Sequence, residues 1–357
     1  MRTRVLKGTN VSLTEIGFGA AVIGNLYQET SDQEAVEAVE AAWQAGIRYF
    51  DTAPHYGLGL SERRLGQALK GLPRAEFVVS SKVGRLLIPN PHPAGRDSAG
   101  FAVPDQLHRV RDYSRNGVRR SIEATLARTG LDRLDVVYVH DPDEHWQQAV
   151  EEAIPTLTDL RSQGVLRAIG VGMNQSPMLA RFLRETPVDV VMLAGRYTLL
   201  EQDALADVLA TAAAVDKSVV AVGVFNSGIL AQPRPAAGAK YDYEDAAPEV
   251  IARANQIADI CDQHGTSLPA AAIAFPLAHP CVVNVTLGMR SAAEVRRNVN
   301  LYNGGVPPGL WSDLQAAGLL RPDAPTPVLT KPSLSGGCRA LSLSKGPPTR
   351  SSEQRFD

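Results

Sequence analysis

Eight short apolar runs, each followed by a helix-like stretch, constrain this chain more than any other feature. They begin near residues 16, 47, 77, 135, 167, 188, 218 and 282. Phe77-Val78-Val79, Val136-Val137-Tyr138-Val139, Val188-Asp189-Val190-Val191-Met192 and Ser218-Val219-Val220-Ala221-Val222 are near-continuous rather than alternating. Strands buried on both faces read this way, as in a parallel sheet covered by helices. Between the runs the period changes. Ser31-Asp32-Gln33-Glu34 is a capping-box pattern that opens Ala35-Val36, Val39 and Ala42-Trp43 at helical spacing, with Gly46 closing the helix. Eight such units in 357 residues are the count of an α/β fold closed as a (β/α)8 TIM barrel. An open doubly wound sheet is the alternative, but the first turn, Gly17-Phe18-Gly19-Ala20, lacks the G-x-G-x-x-G fingerprint.

Additions to this rhythm are legible. Thr3–Lys7 and Val11–Glu15 flank Gly8-Thr9-Asn10 and predict an N-terminal β-hairpin. Two long insertions, Gly84–Asp112 and Ser227–Pro248, follow the third and seventh strands, which places both at the C-terminal rim where loops cover substrates. The barrel domain is expected over 1–321. Residues 322–357, dominated by Pro, Ser, Thr, Gly and Arg without hydrophobic period, read as a disordered tail.

Composition excludes several function classes. A net charge of −2 offers nothing to nucleic acid or an anionic membrane. Cys261, Cys281 and Cys338 show neither C-x-x-C pairing nor metal-ligand spacing, so no metal site is expected. No signal peptide or membrane span is evident, and a cytoplasmic protein acting on a small molecule is the expectation.

The chemistry concentrates at strand ends. The second strand stops at Asp51, with Tyr56 in the tight loop beyond; the third stops at Lys82 and the fourth at His140. In a barrel such positions face one another around the rim. Each has an ordinary reading alone: a capping acid, a packed phenol, a solvated lysine, a satisfied histidine. Together they describe a proton-transfer site. An ammonium beside a phenol favours the phenolate and is expected to lower its pKa. Asp51 would hold Lys82 charged and neutral His140 would orient a substrate oxygen.

With F-D-T-A-x-x-Y-G at 50–57, a strand-end lysine and a strand-end histidine, the chain resembles the aldo-keto reductase superfamily over roughly residues 5 to 305. The resemblance implies that Asp51, Tyr56, Lys82 and His140 match the catalytic tetrad, with Tyr56 as proton donor or acceptor during hydride transfer between a nicotinamide and a carbonyl or alcohol carbon. It further implies that Asn174 bonds the nicotinamide carboxamide, with Met173 replacing a hydroxyl beside it, and that Tyr197 stacks on the nicotinamide ring. Phe225, Asn226, Ser227, Gly228 and Leu230 would follow the pyrophosphate, and Gly288, Arg290, Glu294 and Asn298 the adenosine end. Gly288 and Glu294 depart from the NADP-preferring pattern, since a carboxylate repels a 2′-phosphate and accepts from a ribose hydroxyl. NAD is therefore expected, with NADP possible through Arg290.

H-D-P-D at 140–143, G-V-G-M-N-Q at 170–175 and F-N-S-G at 225–228 are similar to one branch, the D-threo-aldose 1-dehydrogenases and pyridoxal 4-dehydrogenases. An aldose of the L-fucose class oxidised at C1 to its lactone is the leading expectation. Pyridoxal oxidation and general aldehyde or ketone reduction are the alternatives. Asp141 and Asp143 are candidate sugar contacts, and Asp141-Pro142 reads equally as turn chemistry. Outside this class stand a catalytically silent binding barrel and a metal-dependent hydrolase, the latter poorly served because only one of seven histidines ends a strand.

Overall fold

The computed structural model describes residues 1–327, so most of the stretch read as a disordered tail, 328–357, lies outside the described residues. The strands in chain order are β1 Thr3–Val5, β2 Ser12–Thr14, β3 Ile16–Gly19, β4 Tyr49–Asp51, β5 Val78–Val83, β6 Arg85–Pro89, β7 Leu107–Arg111, β8 Val136–His140, β9 Ala168–Met173, β10 Val190–Ala194, β11 Ser218–Val222, β12 Lys240–Tyr241, β13 Glu244–Asp245 and β14 Val282–Gly288. Eight of them close a barrel in the order β3-β4-β5-β8-β9-β10-β11-β14, every pair parallel. The (β/α)8 expectation is met.

The helices are α1 Asp32–Gln44, α2 Leu60–Leu69, α3 Arg115–Thr129, α4 Trp146–Gln148, α5 Ile154–Ser162, α6 Ser176–Glu185, α7 Val208–Ala214, α8 Pro248–Gln263, α9 Leu268–Ala274, α10 Ala292–Gly304 and α11 Gly309–Ala316. A π turn, Ala149–Ala153, joins α4 to α5. The capping box forms as read: Ser31 Oγ accepts the Glu34 N–H at 3.2 Å and the Glu34 carboxylate accepts the Ser31 N–H at 2.9 Å.

Strand parity builds two cores. Phe50, Val79, Val137, Val139, Val171 and Val191 point outward against the helices. Tyr49, Val78, Val136, Tyr138, Ala168 and Val190 point inward, where Leu6, Val11 and Leu13 of the β1–β2 hairpin plug the barrel base. Each such aliphatic burial contributes about 1.5–3 kcal/mol, enough to fix the register of every strand. On β5 the inward positions are therefore Val78, Ser80 and Lys82, and on β8 Val136, Tyr138 and His140. The barrel is filled in layers: apolar at the base, hydroxyls in the middle, ionisable groups at the top.

Three features were not anticipated. The first insertion contains its own antiparallel hairpin, β6–β7. The second insertion contains the short pair β12–β13. Chain beyond residue 321 still packs: Gln315 Nε2 donates to the Pro322 and Ala324 carbonyls at 3.3 and 3.5 Å, and Ala324 is buried.

Candidate active site

Asp51, Lys82 and His140 are the last inward-facing residues of β4, β5 and β8, still inside their strands rather than beyond them. Lys82 Nζ donates to Asp51 Oδ2 at 2.6 Å and to the Thr52 carbonyl at 3.0 Å, with both ionic side chains buried. Tyr56 arrives from the loop after β4. Its ring centroid lies 4.8 Å from Lys82 Nζ and 6.1 Å from the His140 ring, which stands edge-on to it at 86°. Gly57 makes this approach possible. Its φ is +61° and a Cβ there would stand 2.1 Å from the Gly24 carbonyl oxygen, so no other residue fits without moving the loop.

The electrostatics correct one expectation. Burial raises the Tyr56 phenol above its ordinary value and outweighs the opposing pull of Lys82. Burial works to lower Lys82, but Asp51 and Tyr56 outweigh it and its pKa is raised. The ammonium is thus secure, while the phenol stays protonated until an alkaline pH. His140 is held well below its usual range by burial and by Arg85 and Lys82. It is a neutral imidazole, as expected. An ammonium, a phenol and a neutral imidazole at one point can orient a substrate oxygen and move its proton.

The first insertion builds the outer wall. Arg85, at the start of β6, pairs with the Asp141 carboxylate and donates to His55 Nδ1 at 3.1 Å. Arg111 donates to the Asp141 carbonyl at 2.6 Å, and Tyr113 donates to the His140 carbonyl at 2.7 Å. Asp141 has φ +44°, so it serves the turn as well as the ion pair. His55, which sequence left unassigned, packs edge-on against Phe101 at 5.3 Å and His140 at 5.7 Å. Burial and the neighbouring Arg85 and Arg109 push its pKa down to about 2. None of these arginines was singled out from sequence; a cluster of arginines in an insertion with strand-like alternation was the available signal.

A cavity of about 420 Å³ opens from Asp51 and Tyr56 and is lined by Asn174, Phe225, Asn226, Ser227, Gly228, Gly288, Glu294 and Asn298 among the expected cofactor residues. Asn174 Nδ2 donates to the Ala194 carbonyl at 2.9 Å and Asn226 Nδ2 to the Gly195 carbonyl at 3.2 Å. Asn226 Oδ1 and Asn298 Oδ1 are buried in the wall without a hydrogen-bond partner. Such orphaned acceptors, with the open space beside Gly228, fit an elongated polar ligand such as a nicotinamide dinucleotide.

Four expected residues stand elsewhere. Met173 falls on the outward parity of β9 and packs in the helix-facing core. Tyr197 is 2% exposed, with its ring on Phe275 at 5.0 Å and His279 at 5.9 Å rather than on the cavity wall. Leu230 is fully buried and its N–H is bonded to the Phe225 carbonyl at 3.1 Å. Arg290 reaches away, donating to the Leu26 and Gln28 carbonyls at 2.9 and 3.0 Å and to Thr30 Oγ1 at 2.8 Å. The cation at that end of the cavity is Arg297, exposed one turn along α10 from Glu294. The Gly228 N–H is likewise bonded to Phe225 at 2.9 Å, so little of this loop's backbone remains to hold phosphate.

The family model for the aldo/keto reductase family matches residues 15–315. The chain belongs to the aldo/keto reductase family. It is an oxidoreductase, and its cofactor is a nicotinamide dinucleotide. Among relatives it is 47% identical over 321 residues to a D-threo-aldose 1-dehydrogenase from Pseudomonas sp, covering 89% of this chain and 96% of that one. It is 37% identical over 335 residues to a pyridoxal 4-dehydrogenase from Microbacterium luteolum, covering 89% and 97%. The solved holo form of an aldo-keto reductase from Bacillus halodurans superposes with a TM-score of 0.68 at 22% identity, covering 93% of this chain and 99% of that one, which speaks to the fold. Among the described residues no helix is long and apolar enough to cross a membrane.

Proposed function

We propose that this protein oxidises an aldose of the D-threo (L-fucose) class at its anomeric carbon to the lactone, with NAD as cofactor. The observation that carries the reading is the meeting of Lys82 and His140 at Tyr56, which with Asp51 stands on the wall of the cavity that Asn174 and Asn298 also line. A bound nicotinamide supplies the hydride acceptor. The chain's own residues do the rest. His140, neutral, receives or donates one hydrogen bond to the C1 oxygen and fixes its direction. Tyr56 takes the proton from that oxygen as base, and Lys82 stabilises the phenolate that must exist beforehand. Asp51 keeps Lys82 charged and in place at 2.6 Å. The relative at 47% identity supports the aldose class.

A second reading, oxidation of pyridoxal, is favoured by the relative at 37% identity, a pyridoxal 4-dehydrogenase. The test is a panel of L-fucose, D-arabinose, L-galactose and pyridoxal, each with NAD and NADP, followed by absorbance of the reduced cofactor. Tyr56→Phe is the control. Turnover of aldoses that disappears in Tyr56→Phe supports the reading; equal rates in both proteins would refute the role of Tyr56, and a preference for pyridoxal would replace the substrate.

A further inference from the structure

Beneath the pair Asp51–Lys82 lies a line of hydroxyls that the proton transfer itself does not use. Ser80 Oγ donates to Asp51 Oδ1 at 2.7 Å. Tyr49 Oη is 2.9 Å from Ser80 Oγ, and Tyr138 Oη is 3.3 Å from Tyr49 Oη. All four side chains are buried. The proton directions follow from counting. The Ser80 hydroxyl has one proton, and the carboxylate can only accept it, so Tyr49 must donate to Ser80. That leaves Tyr49 as acceptor towards Tyr138, which must donate in turn. Burial raises both phenols well above their usual range, so both protons stay in place.

The barrel makes room for this line deliberately. A Cβ at Gly17 would stand 2.7 Å from Tyr49 Cδ1, and one at Gly170 would stand 2.7 Å from Tyr138 Cδ1 as well as 2.3 Å from the Val190 carbonyl oxygen. Two glycines in flanking strands therefore admit two rings into the middle layer, where the neighbouring inward residues Val78, Val136 and Val190 are aliphatic. An aliphatic pair would fill the same space at no cost in polar burial. Three hydroxyls aimed one way at a single carboxylate oxygen call for a reason beyond packing.

We propose that Ser80, Tyr49 and Tyr138 are positioning residues: a one-way hydrogen-bond chain that aims the Asp51 carboxylate and draws its negative charge towards Oδ1, leaving the Lys82 ammonium less neutralised where it faces Tyr56. Asp51 Oδ2 holds the ammonium, and Oδ1 is shared out down the chain. Without the chain the carboxylate's charge falls on Lys82 alone, the ammonium's field at the phenol weakens, and Tyr56 ionises at higher pH. The ionisable groups facing this unit are His140, His55, Asp141 and Arg85 from the rim and Tyr49 and Tyr138 from below. Only the last two change in the variants below. The inference rests on the reading of Tyr56 as the base.

The experiment titrates phenolate difference absorbance in cofactor-free protein, taking the step missing from Tyr56→Phe as that of Tyr56. In Ser80→Ala this step moves up by about 0.5–1 pH unit. It moves up less in Tyr49→Phe, which keeps the ring and its packing, and least in Tyr138→Phe. The rising limb of oxidation against pH in the holoenzyme moves in the same order. A Tyr56 step unmoved or lowered in Ser80→Ala overturns the inference, whatever happens to kcat. Should Ser80→Ala not fold, Tyr49→Phe decides by the same criterion. If Tyr56→Phe still oxidises aldoses, the functional reading fails separately, and the titration continues to judge the chain.

Discussion

Arg109 Nη2 donates to the His55 carbonyl oxygen at 2.7 Å, so the β6–β7 hairpin holds the loop that presents Tyr56. The same guanidinium grips the Asp97 carboxylate at 2.6 and 2.9 Å, which fixes its plane. Arg109→Met should lower kcat by about tenfold or more, because a displaced reacting group is costly even at small shifts. It should also lower the melting temperature, since Asp97 is left buried without its partner. Asp97→Asn in the same chain should recover the melting temperature and not kcat. Recovery of both would mean that the His55 bond is immaterial to catalysis.

Asp51 and Lys82 predict a second pattern. Both are buried, and neither has another charge at contact distance, so removing one strands the other. Lys82→Met and Asp51→Asn should each lose about 3–5 kcal/mol of unfolding free energy. The double variant should lose clearly less than the sum, and all three should be inactive. Additive losses in a double-mutant cycle by urea melts would show that the pair is not coupled.

The pH dependence has two parts. Oxidation should rise along one alkaline limb set by Tyr56, with no break near neutrality, because His140 lies well below its usual range and His55 at about 2. Stability runs with those histidines. Unfolded, both take up protons below about pH 6.5; folded, they do not, so stability is fully present above that value and declines as pH falls. The slope is about 1.4 kcal/mol per pH unit for each histidine kept neutral. Urea melts between pH 7 and 5 measure it, and His140→Asn should make the slope shallower.

Much of this was legible because parity and rhythm are written in residue order. Tyr49-Phe50-Asp51, Ser80-Ser81-Lys82 and Tyr138-Val139-His140 each put their polar ends on the inward parity, and a barrel must then bring those ends together. What stayed hidden depends on distances between segments remote in sequence. Arg290 looked like a ligand-facing cation, but its side chain is taken up by three acceptors from residues 26–30, about 260 positions earlier in the chain. Met173 was carried over by its place in a motif while its strand parity pointed the other way. The net direction of Tyr56 was misjudged because a neighbouring charge is visible in sequence and the depth of burial is not.

Cofactor choice gives the last prediction. Glu294 and Arg297 both line the cavity, at the end the proposed reading gives to the adenosine, one turn apart on α10, and they pull in opposite directions. The Glu294 carboxylate is anchored by the Arg290 N–H at 2.7 Å, so it cannot easily turn from a ligand. A 2′-phosphate would meet that fixed negative charge, whereas a 2′-hydroxyl can donate to it. Arg297 is exposed and long, and its attraction is screened by solvent. On the proposed reading the fixed, partly buried acid outweighs the exposed base, and NAD should be preferred over NADP. Glu294→Gln should raise kcat/KM for NADP relative to NAD by about tenfold, an effect of the size expected when a repulsive element is removed. Arg297→Ala should lower kcat/KM for NADP further and leave that for NAD little changed. A wild-type protein that already prefers NADP, with Arg297→Ala abolishing the preference, would mean that Arg297 governs this end of the cavity.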